Sequence, residues 1–217
     1  SARMLIETES EDAKARFTEE VTAWRAKMAT PKEDVKEAFL WRAQFREENK
    51  LGVRPAKLSA SWPNIIGLSL IMILLEAAGN AYLFSQNNPL GILGGLIAAF
   101  LVSFGNVIMC TILGMGSRLV NARGFRNLFK KIFGLCLILS WLAFALGYNT
   151  AVAHFRDAVE TTLEWRVAGE IAIDTLISNP VSLSTMESYV LFLLGFIISI
   201  VAFWKGCTSA DPYPGYS

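Results

Sequence analysis

Histidine is almost missing from this sequence: His154 stands alone, so a histidine-built metal centre or a Ser-His-Asp arrangement has next to nothing to build with. Cysteine is scarce too. Cys110, Cys136 and Cys207 form an odd, widely spaced set in or beside apolar runs, where a thiol behaves as a small hydrophobe and no disulfide framework is expected. Phosphate-loop, zinc-protease, nucleophile-elbow, paired CxxC and EF-hand signatures are all lacking. An enzyme is therefore the least supported class, with no catalytic residue, metal or cofactor to name. Net charge is only +1, so no broad basic field argues for nucleic acid. No short apolar segment with a small-residue processing site opens the chain, and nothing suggests export of its N-terminus.

What the sequence has is grease in blocks. A hydrophobic content of 53% is too high for an ordinary soluble domain, and the charge gathers in residues 1–57, 116–131 and 156–187. Crossing a hydrocarbon core of about 30 Å takes roughly 20 apolar residues in a helix, because only helices and closed barrels satisfy their backbone there. Four segments qualify: about Trp62 to Phe84, Leu90 to Met115, Ile132 to Tyr148 and Tyr189 to Trp204. None shows the two-residue alternation of a membrane strand.

Orientation follows from the flanking cations, which stay on the cytoplasmic side. Arg42, Arg46, Lys50, Arg54 and Lys57 precede the first span, and Arg118, Arg123, Arg126, Lys130 and Lys131 separate the second from the third. The turn at residues 85–89 carries no charge, and the third connection is dominated by Asp157, Glu160, Glu164, Glu170, Asp174 and Glu187. Both of these read as outside, and Lys205 returns the C-terminus to the cytoplasm.

The expected fold is all-α: a four-helix transmembrane bundle with an N-terminal cytoplasmic helical hairpin and an amphipathic outside helix. The hairpin occupies residues 1–57. Its first helix follows a possible capping box at Thr8 and Glu11 and carries Phe17, Val21, Trp24 and Met28 on one face. Thr30-Pro31-Lys32-Glu33 reads as the start of the second, which presents Val35, Ala38, Phe39 and Phe45 and stops near Gly52. The membrane domain spans 58–206 and includes an outside helix over 151–178, patterned by Val152, Phe155, Val159, Leu163, Val167 and Ile171. Residues 207–217 read as the start of a truncated cytoplasmic region.

Glu76 is the leading candidate for chemistry. An ionised carboxylate deep in a span costs at least about 2.5 kcal/mol, so something must satisfy or neutralise it. Ser69, Glu76 and Asn80 fall on one helical stripe, and Asn106 of the second span needs a partner that Ser69 or Glu76 can supply. Such a stripe suits an ion or proton site, or a neutral acid hydrogen-bonded across helices. On the second span Gly91, Gly95, Ala99 and Ser103 recur every four residues, the pattern that lets membrane helices pack closely. That packed face can serve this chain or a second copy. The basic loop holding Arg118, Arg123, Arg126, Lys130 and Lys131 is suited to anionic lipid head groups, although topology control alone explains it equally well.

Ala153-His-Phe-Arg-Asp-Ala158 after the third span and Asp211-Pro-Tyr-Pro-Gly-Tyr216 after the fourth resemble landmarks of a poorly characterised group of bacterial multi-pass membrane proteins. The resemblance implies a bacterial inner membrane and a module cut from a longer chain, and it assigns no activity. Two functions fit, the first leading and the second its alternative. One is a self-associating scaffold or signalling module that presents cytoplasmic helices to a protein partner. The other is an ion-conducting or ion-coupled complex using Glu76, Asn80 and Asn106.

Overall fold

The computed structural model describes residues 2–86, 88, 90–124, 127–162 and 164–216, with side chains from residue 8 onward. Six α-helices and one short 3-10 turn account for its regular structure, with no strand among the described residues. They are α1 (Ala2–Glu48), α2 (Trp62–Ser85), α3 (Gly91–Ser117), α4 (Leu128–Thr161), α5 (Trp165–Ser178) and α6 (Met186–Thr208); the 3-10 turn Arg118–Asn121 follows α3. Four of these, α2, α3, α4 and α6, are long and apolar enough to cross a membrane. The shortest has 23 residues, about 35 Å at 1.5 Å per residue.

The chain divides into two compact units, residues 1–54 with Tyr216 and residues 55–215. In the first, α1 is a single 47-residue helix where a hairpin was expected. The reason lies in what surrounds Pro31: a reversal needs a few loop residues, and no glycine occurs before Gly52. Proline removes one backbone bond and crowds the preceding turn, but helix formers on both sides carry the helix through. The Thr8–Glu11 signal likewise falls inside the helix rather than at its start. The helix ends where Lys50 and Gly52 take positive φ, and Arg46 Nε donates to the Gly52 carbonyl at 2.7 Å. Tyr216 stacks on Phe45 at 5.6 Å beneath the Arg42 guanidinium, and its hydroxyl donates to the Arg54 carbonyl.

In the second unit α3 is the central helix, packed against α2, α4 and α6. The small-residue stripe explains how. Gly95 faces the α2 backbone so closely that a Cβ there would collide with the Ala81 carbonyl and the Ser85 amide. Farther along, Gly114 of α3 and Gly206 of α6 face each other, each with the other helix's backbone where a Cβ would go. Small residues are what lets apolar helices touch when water supplies no driving force. The partner of this face is thus the chain itself.

The third span continues well past Tyr148. α4 has 34 residues, about 50 Å of helix, so roughly 20 Å of it exceeds a hydrocarbon core. No breaker intervenes until Thr162, which is extended and whose hydroxyl accepts from the Glu164 amide at 3.3 Å, a local bond that competes with the helix. The predicted outside helix 151–178 is therefore two pieces, the end of α4 and the separate α5. These fold together through Ala158, Val159, Ala168 and Ala172, with Phe155 edge-on to Trp165 at 5.7 Å. Ala168 and Ala172 make the buried face of α5, and Ile171, placed on the apolar stripe by periodicity, is exposed.

The segments that enter and leave the bundle meet. The Ala60 amide donates to the Ser209 carbonyl at 2.6 Å. Asp211, fully buried, accepts from the Lys57 amide at 2.8 Å and the Tyr213 amide at 2.9 Å. Entry into α2 and exit from α6 therefore lie at one end, as an even number of crossings requires.

Candidate functional site

Halfway along the four long helices, polar side chains gather in an otherwise apolar interior. Apolar clusters bracket them: Met72, Ile73, Val107, Cys110 and Ala202 on one side, and Ala77, Phe84, Ala98, Ala99, Ala153 and Leu191 on the other. The centre is Glu76 of α2, only 1% exposed. Asn106 of α3 donates through Nδ2 to Glu76 Oε1 at 3.1 Å and to the Gly195 carbonyl of α6 at 2.9 Å. Its Oδ1 accepts from Ser199 Oγ of α6 at 2.6 Å and from the Cys110 thiol at 3.7 Å. Asn149 of α4 completes the ring, donating to Ser199 Oγ at 3.0 Å and to its own helix at Ala145 at 2.7 Å. One connected network thus ties all four spanning helices together.

The network is incompletely satisfied. Glu76 Oε2, Asn80 Oδ1 and Ser103 Oγ are buried without a hydrogen-bond partner, although the Ser103 hydroxyl faces the Glu76 carboxyl. Orphaned buried oxygens are uncommon in native folds, because each costs about 1–3 kcal/mol. Packing around them is close. A Cβ on Gly195 would run into Asn149 Oδ1 and lie 3.4 Å from Glu76 Oε1.

Of the residues singled out from sequence, Glu76, Asn80 and Asn106 come together here, joined by Ser103 from the small-residue stripe. Gly91 begins α3 with positive φ, and Gly95 and Ala99 pack as described. Ser69 is buried but two turns from Glu76. It lines a separate cavity of about 70 Å³ with Asn64, Met72, Thr111, Lys205 and Thr208, into which the Thr111 hydroxyl brings another unpartnered oxygen. Asn149 and Ser199 were missed. Ending the third span at Tyr148 put Asn149 outside the membrane, and Ser199 alone carries no sequence signal beyond its place four residues after Gly195.

The basic loop is partly engaged within the chain. Arg118 donates to the Met115 carbonyl at 2.9 Å and to the Asp211 carbonyl at 3.5 Å. Arg123 lies over the Tyr213 ring at 4.9 Å and donates to its hydroxyl at 3.1 Å. Lys130 is exposed and Lys131 half-buried; Arg126 lies outside the described residues.

At the opposite end Arg156, 2% exposed, acts as a clamp. It pairs with Glu160 at 2.6 Å and donates to Gln86 after α2 at 2.9 Å and to Thr185 at the start of α6. Asp157 accepts from Ser184 N at 2.7 Å, Thr185 Oγ1 at 2.8 Å and Ser188 Oγ at 2.6 Å. His154 is buried, its Nε2 3.2 Å from the Pro180 carbonyl, a strut holding the segment between α5 and α6. No cluster of three or more potential metal ligands of the His, Cys, Asp or Glu type occurs among the described residues.

Comparison with protein-family models, curated proteins and solved structures finds no match for the chain. Fold and composition alone therefore define its class, an all-helical protein with the four apolar helices of a multi-pass membrane protein.

Proposed function

We propose that this chain is an ion- or proton-coupled membrane protein whose working group is the Glu76 carboxyl. The observation that carries the reading is the four-helix network centred on a fully buried carboxyl with one unpartnered oxygen. Packing alone does not call for it, since replacing buried charged groups by apolar ones of similar volume is often neutral or stabilising. An ionisable group inside a membrane marks by default an ion path or proton relay. The cavity beside Ser69 and Thr111 lies toward the end carrying Lys57, Arg118 and Lys205, two helical turns from Glu76 on α2. By the charge rule that end faces the cytoplasm; a bacterial inner membrane is what the resemblance of the Asp211–Tyr216 element implies.

The test is Glu76→Gln in the purified, full-length chain reconstituted in lipid vesicles. Wild type should show a buried carboxyl band in infrared difference spectra and a cation or proton flux, with both lost in the variant. A variant that stays folded and retains wild-type flux would sink the reading.

A second reading is favoured by α1. Phe17, Trp24, Val35 and Phe39 are all exposed, Phe17 at 69%, on a helix with no second helix in its own unit to cover them. This supports a module that presents α1 to a protein partner or to a further copy of itself. Self-association no longer draws support from the small-residue stripe, which is used inside the chain. Changing Phe17, Trp24 and Phe39 together to Ser should then lower the oligomeric mass in detergent, and an unchanged mass would count against it.

A further inference from the structure

Three oxygens at the polar core want something the protein does not give them. Glu76 Oε2 and Asn80 Oδ1 lie one helical turn apart on α2, and Ser103 Oγ faces the same carboxyl from α3. Their residues are 1%, 1% and 0% exposed, so bulk solvent does not satisfy them. All three atoms can accept, two of them only that while Glu76 is ionised, and no lysine or arginine hydrogen-bonds or pairs with them.

We propose that these three oxygens seat a single monovalent alkali cation, with Glu76 supplying the compensating charge. This rests on the reading of Glu76 as the working group and specifies what it works on. Charge decides the valence. One carboxylate neutralises one positive charge, and no second acid is hydrogen-bonded into the network, so a divalent ion would leave an uncompensated charge in a low-dielectric interior, where the cost is several kcal/mol. Ligand chemistry agrees: hard carboxylate, amide and hydroxyl oxygens suit hard cations, whereas softer metals prefer imidazole and thiolate. The one thiol nearby, Cys110, is turned to Asn106. Size is limited as well. Asn149 and Glu76 already crowd the Gly195 backbone, which argues against a guest as large as an organic ammonium.

The surrounding network prepares the seat. Asn106 holds Glu76 Oε1 from one side, which leaves Oε2 as the oxygen free to bind. Met72 lines the cavity at the basic end and belongs to the apolar cluster that separates this cavity from Glu76. An ion would pass that side chain on its way, and methionine, unbranched and adaptable, is well suited to yield.

The experiment uses the full-length chain in detergent at fixed pH and ionic strength. Thermal midpoints and calorimetric binding are measured in LiCl, NaCl and KCl against N-methylglucamine chloride, for wild type, Asn80→Ala, Ser103→Ala and Glu76→Gln. The expected result is a saturable rise in midpoint with at least one alkali ion. Its Kd should weaken by about tenfold or more in Asn80→Ala and Ser103→Ala, the loss of one ligand to a charged group, and binding should vanish in Glu76→Gln. An equal rise in all four proteins would be a general salt effect and would overturn the proposal. If no alkali ion binds wild type while the Glu76 infrared band still responds to acid and base, the cation assignment fails and the proton reading stands. If neither ion nor proton acts there, both fall together.

Discussion

Replacing Asn106 by alanine removes the hub of the polar core. Three hydrogen bonds of 3.1 Å or shorter are lost, to Glu76, to the Gly195 carbonyl and from Ser199, together with the longer one from Cys110. Interhelical bonds within membranes average about 0.6 kcal/mol each and reach about 1.7, so the bonds account for roughly 2 kcal/mol. The void left by a fully buried side chain adds about 1 kcal/mol. A loss of roughly 3 kcal/mol is expected, measured by reversible unfolding in mixed detergent micelles. The design becomes specific with Ser199→Ala as the second corner of a double-mutant cycle. The two residues share one short bond, and their coupling should be about 0.5–1.5 kcal/mol. Additive losses, or an Asn106→Ala cost below about 0.5 kcal/mol, would refute the view that this network holds the four helices in register.

Two further substitutions probe the ends. Gly95→Leu drives a side chain into the Ala81 carbonyl and the Ser85 backbone, and should cost at least about 3 kcal/mol or prevent the α2–α3 pairing, read by protease resistance of the purified chain; unaltered resistance would contradict the close approach. Arg156→Met removes the cation that pairs with part-buried Asp157 and exposed Glu160 and frees Gln86 and Thr185, for an expected loss of about 1–3 kcal/mol. Hydrogen exchange should speed up first in α5 and the start of α6, and uniform exchange across the bundle would argue against a local clamp.

How much of this was legible beforehand depended on the kind of signal. The four spans were readable because hydrocarbon imposes one rule on every residue in them, and Glu76, Asn80 and Asn106 stood out because each is costly there. The stripe through Gly91, Gly95, Ala99 and Ser103 announced a packed face, yet small residues do not encode which helix packs on them. Local signals misled where a longer-range choice was in play. Thr30-Pro31 has the chemistry of a helix start, and it gave way because no residue nearby could form a reversal. Asp157 and Glu160 read only as acids of an outside connection. Asp157 is drawn inward beside Arg156, while Glu160 stays exposed and pairs with the same guanidinium; the other partners of Arg156, Gln86 and Thr185, are distant in sequence and therefore invisible to a pattern of threes and fours. Arg118 and Arg123, which flank spans and suit lipid head groups or topology control alike, find carbonyl and aromatic partners near Asp211 that are likewise far along the chain.

The central claim is that Glu76 faces protein at the middle of the bundle, held there by Asn106. A solid-state NMR distance between ¹⁵Nδ2 of Asn106 and ¹³Cδ of Glu76, measured in lipid bilayers, addresses it without mutation. The account predicts strong dipolar coupling, in keeping with the 3.1 Å contact from Nδ2 to Oε1. Absence of coupling, with Glu76 instead showing cross-peaks to lipid acyl chains, would contradict it.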